Sequence, residues 1–125
     1  MKIGLLIIAA LLTTSSVLAH HSNAAFDGDK VVVLKGTVTQ WKWTNPHVWI
    51  FLSVDDGKGG KETWEIEGRP PGVLSRAGWS KTIFKVGDTI TVDFSPARDG
   101  SRTGLTTRVT LADGTVLSNA PPALP

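Results

Sequence analysis

Hydrophobic positions change their spacing several times along the 125-residue chain. Residues 3–12 (IGLLIIAALL) form an unbroken apolar run. From residue 31 the spacing shortens toward that of strands. VVVLKGTVTQWKW at 31–43 is rich in β-branched and aromatic residues and predicts a long first strand, with Gly36 marking a bulge or sharp bend. Thr44-Asn45-Pro46 interrupts it, because Pro46 lacks a donor and restricts Asn45. HVWIFLSV at 47–54 predicts a second strand, with Val48, Ile50, Leu52 and Val54 facing the core and His47, Trp49, Phe51 and Ser53 facing away. DDGKGG at 55–60 is a turn. KETWEIEG at 61–68 predicts a third strand, with Trp64 and Ile66 on one face and Glu65 and Glu67 on a solvated one.

The pattern then loosens. RPPG at 69–72 stops the strand, and VLSRAGW at 73–79 accommodates one or two helical turns. FKVGDTITVDF at 84–94 leads into a fourth strand, after a tight turn at Gly87-Asp88. SPARDGS at 95–101 carries an Asp-Gly turn signal. LTTRVTLADGTVL at 105–117 predicts a fifth strand with a short hairpin return through Asp113-Gly114. Three strands, a short helix and two strands are the element order of an OB-fold. The predicted class is therefore all-β, a small five-stranded OB-like barrel with a short helix between strands three and four; a β-sandwich is the alternative.

The ends divide the chain further. Lys2, the apolar run and Val17-Leu18-Ala19 make residues 1–19 a secretory signal peptide, with cleavage expected after Ala19. Its apolar run of about ten residues is too short to span a bilayer. The expected destination is the periplasm or the medium. Residues 20–29 read as an N-terminal arm, 30–117 as the barrel and 118–125 (SNAPPALP) as a loose tail. The chain has no cysteine, so an exported domain of this kind must be held by its core.

Charge narrows the function. Without residues 1–19, 12 basic side chains oppose 11 acidic ones, and the arginines are scattered. This small excess of positive charge gives nucleic-acid binding little support. Catalytic constellations are sparse: there is no Cys nucleophile and no G-x-S-x-G elbow, and Glu65 with Glu67 reads as a solvated face. The composition points to binding rather than catalysis.

Two sets of residues could bind. His20, His21 and His47 are the only histidines. Cleavage after Ala19 would give His20 a free α-amine beside its imidazole, and His47 would supply a third nitrogen. His21 in second position offers a variant that also uses the amine. A nitrogen-only, planar donor set favours copper. The competing set is Trp41, Trp43, Asn45 and Trp49, an aromatic surface for a glycan, peptide or protein partner without metal. One or two of these indoles covering a barrel end is the plainer account of them.

Several of these stretches together resemble a known group. They are His20-His21-Ser22 with Phe26-Asp27, the run LKGTVTQWKWTNPHVWI, Arg76-Ala77-Gly78-Trp79, and Gly87-Asp88 before a strand. They resemble an uncharacterised family of small exported bacterial proteins, a domain of unknown function. The most specific piece is Trp43-Thr44-Asn45-Pro46-His47-Val48-Trp49. The resemblance implies export and a single domain, and implies no activity.

Overall fold

The computed structural model describes residues 24–120. In chain order they form β1 (Val32–Lys42), β2 (Trp49–Asp55), β3 (Lys61–Glu67), helix α1 (Pro71–Arg76), β4 (Thr89–Pro96), β5 (Thr103–Thr110) and β6 (Val116–Ser118). The sheet order is β3-β2-β1-β4-β5-β6, and a parallel β3–β5 pairing closes the first five strands into a barrel. This is the predicted OB-like architecture, with β6 as the expected hairpin return.

Alternation along each strand decides what faces inward. Val48, Ile50, Leu52, Ile66, Val92, Phe94 and Val109 are fully buried. β1 serves both halves of the barrel: Val32–Thr37 pairs with β4, and Thr37–Lys42 pairs with β2. Gly36 sits at the changeover, where a Cβ would lie 2.8 Å from the Ser53 carbonyl oxygen. The register irregularity itself falls two residues later, between Val38 and Gln40. Gly104 has a similar role at the closure, because a Cβ there would fall on the buried Phe94 ring.

β4 begins at Thr89, directly after the expected Gly87-Asp88 turn, and the buried Phe84 and partly buried Ile83 in the loop before it pack on the core. Two boundaries differ from the sequence expectation. The second half of the arm is docked: Phe26 is buried and bridges Ala97, Asp27 N–H donates to the Pro96 carbonyl, and Arg98 N–H donates to the Ala25 carbonyl. The start of the tail is also tied down, since Trp79 Nε1 donates to the Ser118 carbonyl at 2.7 Å and Asn119 Nδ2 to the Thr106 carbonyl at 2.7 Å.

Candidate functional site

The four residues proposed as an aromatic binding surface do not share one. Trp41 and Ile50 are register partners, and Trp41 and Trp43 pack half-buried against the core. Trp41 lies 4.8 Å from Phe84, 5.7 Å from Trp43 and 6.2 Å from Trp79, measured between ring centroids. Its Nε1 donates to the Lys81 carbonyl at 3.0 Å. These indoles cover a barrel end, and Trp41 has spent its one polar group on the loop that closes it. Asn45 is exposed in the turn between β1 and β2, next to Pro46, and the Asn45–Pro46 bond is cis.

Trp49 points the other way. Its register partners are Lys42 on β1 and Glu67 on β3. Phe51, one step along the same face, pairs with Gln40 and Glu65 and carries the Lys42 ammonium 5.1 Å from its ring centroid. The outer wall of β1–β2–β3 therefore holds two aromatic rings, one ammonium and two carboxylates.

At the end of this wall is the pair that sequence reasoning missed. His47 lies two residues before β2, and the backbone beside it continues the β2–β3 ladder: Gly68 N–H donates to the Val48 carbonyl, and Val48 N–H to the Arg69 carbonyl. Antiparallel pairing thus sets the end of β3 against the start of β2. His47 Nδ1 lies 2.6 Å from Glu67 Oε1. Glu67 is not on a solvated face as its alternation with Ile66 implied; its side chain is only 9% exposed, against 32% for His47. Burial pushes the Glu67 carboxyl above its ordinary 4.5, and the imidazole opposes part of that rise. Two sequence signals pointed here: a histidine beside the turn before β2, and a carboxylate at the far end of the next strand.

The contact engages Nδ1 and leaves Nε2 as the ring nitrogen that, in the neutral imidazole, can accept a hydrogen bond or ligate a metal. His47 is the one histidine among the described residues, and no three His, Cys, Asp or Glu side chains among them cluster closely enough to hold a metal ion. His20 and His21 lie outside the described residues. A metal held here would need donors from elsewhere, and His47 would be one ligand with Glu67 behind it.

Closed five-stranded barrel, helix after β3 and polar pair at the β2–β3 rim define a small OB-type β-barrel protein. The chain belongs to a family of unknown function, DUF6152, whose sequence profile matches residues 8–108. Among solved structures it is similar to the mitochondrial single-stranded DNA-binding protein Rim1 of S. cerevisiae, with a TM-score of 0.53 and 8% identity, covering 66% of this chain and 93% of that one. At that identity the likeness shows the shared barrel alone. No curated protein matches the chain. No helix among the described residues is long and apolar enough to cross a membrane.

Proposed function

We propose that the protein is exported and binds a copper-type metal ion. The donors in this reading are the α-amine and imidazole of His20, freed by cleavage after Ala19, and Nε2 of His47; His21 is the alternative donor. The observation that carries it is the 2.6 Å contact from His47 Nδ1 to the nearly buried Glu67 carboxylate. A carboxylate behind a histidine is how protein metal sites orient the ring and raise its basicity. An all-nitrogen set selects Cu(II) over harder cations.

Protein with an authentic His20 terminus should take up about one Cu(II), followed by quenching of Trp49 fluorescence. An added N-terminal Met should weaken uptake, since the amine would move off His20, and His47→Ala should weaken it independently. Equal affinity in all three proteins would end this reading.

A second reading has its own observation. Trp49 and Phe51 lie on the β2–β3 face, where OB-folds take oligonucleotides and oligosaccharides. Rim1 is by its name a single-stranded DNA-binding protein. In this chain Glu65 and Glu67 flank the rings on the same wall, which opposes a phosphate backbone and favours a glycan or peptide. Silence toward copper combined with a Trp49 response to a neutral oligosaccharide or peptide supports this second reading.

A further inference from the structure

The barrel's strand edges are guarded unequally. β3 pairs with β5 only from Glu65 onward, so its first half, from Lys61, is open on that side. Ion pairs stand over this opening: Lys61 with Asp55 at 2.6 Å and Arg102 with Glu62 at 3.0 Å. β6 is open on its outer side, but it is three residues long and its Ser118 carbonyl already accepts from Trp79. Charges and short strands are how sheet edges are kept from pairing with other chains.

The start of β1 has no such guard. β2 leaves β1 at the Thr37–Ser53 pair, and Val54 and Asp55 go on with β3 alone. The first half of β1 is therefore flanked by β4 on one side and by no strand of the described chain on the other. Parity says which groups face the open side. Val38 N–H donates to the Asp88 carbonyl and Gly87 N–H to the Val38 carbonyl, so the even-numbered residues from Val32 to Val38 turn their polar groups to β4. Val33 turns its N–H and C=O to the open edge. Its side chain is 58% exposed, and that of Val31, two residues back, is 64% exposed. No charge interrupts the run from Val31 to Leu34.

We propose that this edge pairs antiparallel with the same edge of a second copy of the chain, about a two-fold axis at Val33. The stretch is self-complementary under that operation. With Val33 opposite the second copy's Val33, each Val31 falls opposite a Lys35 and each Val32 opposite a Leu34. The Val33 pair exchanges two backbone hydrogen bonds, and the flanking pairs continue the ladder. Exposed valine is covered by valine, a favourable cross-strand pair. Each Lys35 ammonium ends beside the turn that carries the exposed Asp29 of the other copy, so the charges at the two ends are complementary. The contact is isologous: one operation fills both open edges and leaves none to recruit a further chain, which an unrelated peptide would not do. The paired stretch is short, so the dimer is a small and reversible one. His47, Glu67 and Trp49 take no part, and the proposal stands or falls apart from the metal reading.

The test is the oligomeric state of the purified protein in EDTA, which removes dimers bridged by metal. Sedimentation equilibrium should show monomer and dimer exchanging. Val33→Lys sets two like charges face to face at the axis and should raise the dissociation constant at least about tenfold. Its urea midpoint, read where the parent protein is monomeric, should be unchanged, because position 33 is exposed in the single barrel. Register has its own readout, since the chain has no cysteine. Opposed residues of a hydrogen-bonded pair have Cα atoms about 5.5 Å apart, within disulfide range. Val116 is similarly exposed, at 56%, and lies away from the axis. Under mild oxidation Val33→Cys should form a linked dimer at least about tenfold faster than Val116→Cys, because pairing makes the link an intramolecular event. A protein that stays monomeric up to about 1 mM, a dimer as stable with Val33→Lys as without it, or Val33→Cys linking no faster than Val116→Cys would each overturn the proposal.

Discussion

Trp41 and Trp49 are eight residues apart on paired strands, yet they belong to different parts of the molecule. Trp41 faces the inside of the barrel among Trp43, Trp79 and Phe84, with its N–H bonded to a loop carbonyl. Trp49 faces outward between Lys42 and Glu67, beside the imidazole that Glu67 holds. Residue type does not separate a structural indole from an available one. Strand parity does, because each step along a strand reverses the face.

The largest expected effect tests that division directly. Trp41→Ala removes a ring from the barrel closure and should cost about 3 kcal/mol of unfolding free energy, the lower end of the range for large aromatic truncations because the ring is only half-buried. Trp49→Ala should cost less than about 1 kcal/mol, as outward positions usually do. Urea unfolding midpoints measure both, and equal losses would break the comparison.

A second, smaller effect concerns the outer wall's carboxyl. Burial raises the Glu67 value above 4.5, so the folded protein holds that proton more tightly than the unfolded chain does. Its contribution is therefore fully present below the unfolded value and is lost as pH rises through the raised one. Glu67→Gln removes this titration. Stability measured from about pH 4 to pH 6 should then fall less steeply than in the parent protein. An unchanged slope would mean that the carboxyl titrates normally despite its burial.

The smallest effect returns to the inner wall. The Thr106 hydroxyl is buried opposite Phe94 and has no hydrogen-bond partner among the described residues. Thr106→Val keeps the shape and removes an uncompensated polar group, which should raise stability by about 1 kcal/mol. A loss in thermal or urea unfolding would show that the hydroxyl has a partner after all.

Much of the barrel could be read from spacing alone. The core face of β2, the glycine at the bend of β1, the helix after Pro70-Pro71 and the hairpin return at Asp113-Gly114 are all local features, set by alternation and turn chemistry. The site was less legible. Glu67 looks solvated when β3 is read by itself, because alternation with Ile66 assigns a face but not what covers that face. The cover comes from His47, twenty residues earlier, through an antiparallel register that no local pattern encodes. The same limit explains Trp41 and Trp43. Their shared parity was visible, but the loop carrying Lys81 and Phe84 that packs on them comes from a distant segment.

The docking of Ala25–Asp27 against the β4–β5 turn has a consequence for whatever precedes it. A chain end fixed at its root is a tethered reagent. If cleavage after Ala19 frees His20 as proposed, donors joined to the barrel through one chain act at an effective concentration in the millimolar range for short linkages. The first histidine nitrogens would then meet a metal ion already touching His47 as an intramolecular event. In that case the copy number of the protein would scarcely matter, and occupancy would follow the free ion alone.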